Sequence, residues 1–249
     1  MITTDGVTKR HGRTLAVDGV SVDIGPGLTA IIGPNGAGKS TLLACIGRLV
    51  RLDGGTVLVD GLDVTATSTR VLATRLAVLR QENHVPIRLS VADLVAFGRF
   101  PHGGARTADD RAIVDDAVAM LGLDSVRDRF IDELSGGQRQ RAFVAMALAQ
   151  STDVLLLDEP LNNLDPRYAV DLMRLLGGLA AERGMTIVIV LHDIAVAARH
   201  ADRIVAMKDG RVAREGSVDE VITAEFLGAL YETQVAVEVL GGRRVVLWG

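Results

Sequence analysis

The chain has 249 residues, 48% hydrophobic and 23% charged, enough for a continuous core in one large domain or one domain with an inserted lobe. Its net charge of −4 leaves no basic excess to neutralise a phosphate backbone, so no nucleic-acid partner is expected. Apolar runs such as 185–191 fall far short of the roughly 18 residues that cross a bilayer, and residues 1–10 are polar where a leader would be basic and then apolar.

These features predict a cytoplasmic chain that is not itself a transport path. The single cysteine, Cys45, forms no internal disulfide, fits a reducing compartment and reads as helix packing. Only three lysines occur, Lys9, Lys39 and Lys208. In a chain that otherwise uses arginine, a retained lysine points to a need for a compact ammonium.

In chain order, 15–24 alternates in part and 56–60 is β-rich between Gly54-Gly55 and Gly61, so both are predicted strands. Residues 28–32 are a short apolar run entering a Gly-rich turn, and 39–49 have helical spacing. From about 86 to 150 the chain reads as mostly helical. Ser90 with Asp93, Thr107 with Asp110, and Ser135 with Gln138 each have the capping-box spacing that starts a helix. Residues 98–104, with Pro101 and three glycines, break this stretch. Beyond it, strands at 154–158, 186–191 and 204–207 alternate with helices at 166–183 and 194–200, the pattern of a mostly parallel sheet covered by helices. Residues 234–240 and 243–247 read as a hairpin across Gly241-Gly242.

Three segments carry chemistry. Gly33-Pro34-Asn35-Gly36-Ala37-Gly38-Lys39-Ser40 matches the phosphate-loop pattern in full, after an apolar strand and before a helix. Its glycines let backbone N–H groups turn inward, the helix adds its positive end, Lys39 reaches the β- and γ-phosphates and Ser40 binds Mg²⁺. The strand 154–158 ends in Asp158 and Glu159. Asp158 is placed to hold Mg²⁺, and Glu159 to act as the general base toward water. A strand end of this kind by itself is commonly just solvated, and it gains meaning from the phosphate loop upstream. In Leu134-Ser135-Gly136-Gly137-Gln138 the capping box accounts for Ser135 and Gln138. Glycines at the first helical positions have no local reason, and close approach by another molecule's phosphates would supply one.

This last segment, followed by Arg139-Gln140-Arg141, resembles the signature motif of the ABC transporter ATPases, and the resemblance extends from about residue 2 to 248. It implies an α/β P-loop NTPase fold: one domain, 1–249, with a mostly parallel RecA-like core sheet, an antiparallel β subdomain and a helical subdomain inserted at about 86–150. It implies an ATPase using ATP and Mg²⁺, in which Ser135, Gly136, Gly137 and Gln138 cap the γ-phosphate held by the opposite copy. The phosphate loop with Thr41 holds the nucleotide. Gln81 resembles the glutamine that touches Mg²⁺ and the attacking water, Asp165 the loop that crosses the dimer interface, and His192 the histidine that contacts the γ-phosphate. Asp165 also reads as an N-cap before Pro166. His11 stands where the family stacks adenine on a tyrosine, with less area to stack.

Partners implied are a nucleotide-dependent homodimer, integral-membrane permease subunits and, indirectly, a substrate-binding protein, at the cytoplasmic face of the membrane. The segments 79–84, 96–102, 142–150 and Leu191-His192-Asp193 are most similar to ferric-siderophore importer ATPases. Haem or vitamin B12 importers and an iron–sulfur assembly ATPase remain the alternatives, and a GTP switch lacks its N-K-x-D motif. A permease coupling helix is expected in a groove near Gln81, with Val85, Leu89, Phe97 and Phe100 as apolar anchors or, equally, as lobe core.

Overall fold

The computed structural model describes residues 1–81, 87–105 and 107–249; Val85, Pro86 and the rest of 82–86 lie outside the described residues. In chain order the elements are β1 (Ile2–His11), β2 (Thr14–Ile24), β3 (Gly27–Ile32), α1 (Lys39–Ile46), β4 (Gly54–Val59), β5 (Leu62–Asp63), α2 (Thr69–Ala73) and β6 (Leu76–Leu79). Three helices follow: α3 (Val91–Phe97), α4 (Ala108–Met120) and α5 (Gly136–Ala149), with short 3₁₀ turns between them. The chain then alternates as β7 (Val154–Asp158), α6 (Pro166–Arg183), β8 (Thr186–Val190), α7 (Ile194–His200), β9 (Arg203–Lys208) and β10 (Arg211–Ser217). It ends in α8 (Val218–Val221), α9 (Ala224–Tyr231) and the hairpin β11 (Val235–Leu240) and β12 (Arg243–Trp248).

Among the described residues, the central sheet runs β10-β9-β3-β8-β7-β6, parallel throughout except for the antiparallel edge strand β10. A second, antiparallel sheet runs β2-β1-β4-β5. Every residue of β7 and β8 is buried, because a parallel sheet is covered on both faces and its strands lose the polar alternation. The strand period of two still sorts the side chains. Leu28, Ala30, Ile32, Leu155, Leu157, Ile187 and Ile189 join a core with α3–α7. Ile31, Val154, Leu156, Val188 and Val190 join a separate core with α1 and the antiparallel sheet. Each fully buried Leu, Ile or Val contributes about 1.5–3 kcal/mol, so a one-residue slip in either strand would exchange the two cores.

The three capping boxes form as their spacing predicts, and α6 and α7 have the predicted bounds. The helix expected over 39–49 is shorter. It ends at Ile46 because Arg48 turns left-handed (φ 53°) and its guanidinium donates to the Val64 and Thr67 carbonyls at 2.9 and 2.6 Å.

The three helices of the α3–α5 stretch are tied to one another by a buried ion pair. Arg99, 6% exposed, donates Nε to Asp110 Oδ1 at 3.0 Å and Nη1 to the Ala149 carbonyl and Ser151 Oγ at 2.9 and 3.1 Å. One side chain thereby joins the turn after α3, the first turn of α4 and the exit from α5. Hydrogen bonds from the Thr107 hydroxyl and backbone, then from Arg99, hold the Asp110 carboxyl down to about 2. A depressed carboxyl stabilises the fold above its ordinary value of 3.8 and loses that contribution as pH falls through the lower one. Asp110→Asn should therefore melt below the parent at pH 7, and the gap should narrow as pH falls from about 4 toward 2. Thermal unfolding across that range measures it.

Candidate active site

The phosphate loop owes its shape to what presses on it. A β-carbon on Gly38 (φ 96°) would lie 2.2 Å from the Ala16 carbonyl oxygen in β2, so only glycine fits there. Beside it Gly210, in the β9–β10 turn, donates its N–H to Ala37 O at 3.1 Å and accepts from Asp18 N at 2.8 Å. Gly38 is the N-cap of α1 and has no side chain to cap the helix, which leaves the first-turn N–H groups directed into the loop. Lys39, 5% exposed, rests its Nζ on the carbonyls of Gly33 and Pro34 at 2.8 and 2.9 Å. Burial lowers its pKa, and the carboxylates of Glu159 and Asp158 oppose that shift.

Four parallel strands, β3, β6, β7 and β8, lead into segments that meet at the same edge. Ser40 Oγ donates to Asp158 Oδ1 at 2.8 Å. Burial pushes the Asp158 carboxyl upward and the Ser40 bond partly offsets this. Glu159, 8% exposed, accepts from Gln81 Nε2 at 2.7 Å and Asn162 Nδ2 at 2.8 Å, and His192 Nε2 lies 2.5 Å from its other oxygen. Gln81 follows β6 and His192 follows β8, so the sequence-predicted trio meets on one carboxylate. An open cleft of about 520 Å³ is lined by Ala16, 35–41, Gln81, Glu159 and His192. His11 lines the adjoining depression with Thr41, Leu49, Val50 and Asp158.

The Mg²⁺ expectation fits the donors present. Ser40 and Asp158 offer hard oxygen ligands side by side, and no cluster of three His, Cys, Asp or Glu forms a protein cage among the described residues. Magnesium is usually held in this way, by one or two protein oxygens together with substrate phosphates.

Other expected residues are not in this cleft. Ser135, Gly136, Gly137 and Gln138 open α5, with Gln138 folded back onto Ser135 N at 3.1 Å, and none of them is among the described residues lining the cleft. Asp165 is the N-cap of α6 before Pro166 but makes no side-chain capping bond. For Gly137 the sequence reading that the glycines lack a local reason is corrected: a β-carbon there would lie 3.0 Å from the Asn163 carbonyl oxygen and 3.6 Å from Leu164 Cδ2, whereas one on Gly136 would meet Asn163 only at ordinary contact distance, 3.5 Å. Asn162, on the Glu159 carboxylate, is a site residue the sequence does not single out, because an asparagine four residues past a strand reads as an ordinary turn residue.

A phosphate loop, a helix N-terminus and paired carboxylates at the carboxyl edge of a parallel sheet define a phosphate-loop nucleotide site. A family model described as ABC transporter matches residues 17–162, and the chain belongs to that family. It is 42% identical to the petrobactin import ATP-binding protein YclP of Bacillus subtilis (strain 168), over 98% of each chain. It is 39% identical to the ferric enterobactin transport ATP-binding protein FepC of Escherichia coli (strain K12), over 90% of this chain and 84% of that one. Among solved structures, a dimeric post-hydrolysis state of the ATP-binding cassette MJ0796 with ADP and Pi superposes with a TM-score of 0.80. That match has 31% identity and covers 88% of this chain and 99% of the cassette.

Lys39→Ala should lower affinity for a fluorescent ATP analogue by about a hundredfold, the scale of losing charged hydrogen bonds in a buried loop. Equilibrium titration measures it, and unchanged affinity would remove Lys39 from the phosphate site.

Proposed function

We propose that this chain is the ATP-hydrolysing subunit of a membrane importer for ferric siderophores, working as a nucleotide-dependent homodimer on integral-membrane permease subunits at the cytoplasmic face. The observation that carries the ATPase reading is the cluster in which Gln81, Asn162 and His192 all meet Glu159, beside the Ser40–Asp158 pair. The substrate class is supported by near-full-length similarity to petrobactin and ferric enterobactin import proteins. No helix among the described residues is long and apolar enough to cross a membrane, so the transport path belongs to the partner.

In this reading residues 33–38 wrap the phosphates with backbone N–H groups, and Lys39 exchanges its two carbonyl partners for phosphate oxygens. Ser40 and Asp158 hold Mg²⁺, with Gln81 nearby; bound there, the ion supplies positive charge to the β- and γ-phosphate oxygens. Glu159 takes the proton from the attacking water, Gln81 and His192 orient the carboxylate, and His11 stacks on the adenine. Two copies close head to tail, so that Ser135–Gln138 of each caps the nucleotide of the other and the loop carrying Asp165 crosses between them. A substrate-binding protein acts through the permease.

The 86–150 stretch is proposed as an inserted helical subdomain that receives the permease. Phe97 and Phe100 are 47% and 76% exposed. The turn holding Phe100 packs beside α2, where Val71 is also exposed. Leu89, by contrast, packs against the core, so Phe97 and Phe100 are the stronger anchors.

Glu159→Gln should keep ATP affinity, lower turnover by about a hundredfold, the usual scale for a lost general base, and accumulate as a dimer with ATP and Mg²⁺ on a sizing column. A monomer that hydrolyses at the parent rate would exclude Glu159 as the base. Cells deleted for this chain, and lacking a paralogue, should lose ferric-siderophore uptake, measured with radiolabelled iron. Uptake at the parental rate would overturn the substrate class and leave the ATPase reading standing.

A further inference from the structure

Gly137, Gln140 and Arg141 are three and four residues apart on α5 and therefore share one face of the helix. All three meet the segment that follows Glu159. Gly137 packs against the Asn163 carbonyl oxygen. Gln140, 9% exposed, donates Nε2 to the Pro160 carbonyl at 3.2 Å. The Arg141 guanidinium carbon lies 4.0 Å from the centre of the Tyr168 ring in the first turn of α6. The same guanidinium donates Nη1 to the Leu121 carbonyl at the end of α4 at 2.7 Å. Arg141 is 8% exposed and its Nε is buried without a hydrogen-bond partner. The ring and the α4 carbonyl thus carry much of the task of holding a buried charge, and a desolvated cation over an aromatic face is a stronger contact than an exposed one.

We propose that Tyr168 and Gln140 are positioning residues. Through Arg141 and Pro160 they clamp the start of α5 to the 160–168 segment, so that Ser135–Gln138 and the loop leaving Glu159 move as one body. This rests on the head-to-tail closure proposed above. If Ser135–Gln138 serves the facing copy's nucleotide while Glu159 serves its own, the clamp is the in-chain link between the two sites of the dimer. Tyr168 lies in neither nucleotide cleft, so its loss should leave nucleotide binding by a single copy intact and weaken only the closing of two copies.

The experiment uses the Glu159→Gln chain as background and adds Tyr168→Ala, Tyr168→Phe or Gln140→Met. Two quantities are measured: affinity of the dilute monomer for a fluorescent ATP analogue, and the ATP concentration for half-maximal dimerisation by sedimentation. Tyr168→Ala should raise the dimerisation midpoint about thirtyfold, the scale of a desolvated cation–ring contact, with monomer affinity unchanged. Tyr168→Phe keeps the ring and should behave as the background, while Gln140→Met should shift the midpoint in the direction of Tyr168→Ala. Parental dimerisation in both Tyr168→Ala and Gln140→Met overturns the clamp, as does a midpoint shift fully matched by lost monomer affinity. If Tyr168→Ala does not fold, Gln140→Met alone decides on the same two readouts. A background chain that never dimerises with ATP would instead remove the head-to-tail reading, and the clamp with it.

Discussion

The register of the parallel strands is the constraint on which the site depends. Ile31 in β3 pairs with Val190 in β8 and with Val205 in β9, and Asp158 in β7 pairs with Val190 as well. These residues form one row across the sheet. Gly33, His192 and Met207 come two positions further along their strands, and Gln81 stands two beyond Leu79, which pairs with Leu157. The phosphate loop, both carboxylates, the glutamine and the histidine therefore arrive together without needing contacts of their own to assemble them. What fixes the row is apolar. The alternating side chains of β3, β7 and β8 fill two different cores, and a slipped strand would place each set in the wrong one.

The electrostatics follow from that crowding. One ammonium and two carboxylates are held at low exposure in and beside the loop, where each charge alone would be penalised. Lys39 and the carboxylates compensate one another across the site, and Ser40, Gln81, Asn162 and His192 use their polar atoms on the same two acidic groups. The Lys39 ammonium illustrates the choice of lysine: it seats on two adjacent backbone carbonyls, a point contact that the planar fork of arginine would not match. Lys208 occupies a similar seat, on the Ala229 carbonyl and Glu232 at 3.0 and 2.8 Å.

Legibility in the sequence followed the range of the interaction. Capping boxes are decided within four residues, and each of the three singled out formed. β7, β8, α6 and α7 were readable because long apolar runs and helical periods repeat over many residues. β6 and α8, of four residues each, carried too few residues to show a period, and the polar edge strand β10 takes its form from pairing with β9. Arg48 stopped α1 through acceptors at Val64 and Thr67, sixteen and nineteen residues away, a distance no local pattern reports. Within the site, motif residues were legible because phosphate chemistry dictates their types. Gln140 and Tyr168 were not, since their partners are set by how α5 packs on the 160–168 segment, and Asn162 was not, since it looks like any turn residue until the turn brings it onto Glu159.

The turn leaving β7 shows why the site and that packing are inseparable. Glu159 and Asn163, two non-glycine residues in five, both occupy the left-handed region, at φ 50° and 63°. Such conformations cost about 1–3 kcal/mol each and persist only where surroundings over-determine them. Glu159 is held by donors on both of its oxygens. A β-carbon on Gly137 would lie 3.0 Å from the Asn163 carbonyl oxygen, a tight contact that would press on the turn. An ordinary extended exit from β7 would send the chain on past the sheet edge. The sharp turn instead sets the carboxylate between Gln81 and His192 and returns the backbone at once to the face of α5. The glycine that the sequence offered as a site for an approaching ligand thus also relieves crowding against the turn that aims Glu159. The constraint at position 137 is therefore double: backbone space for its own chain on one side, and, in the proposed dimer, for a nucleotide on the other.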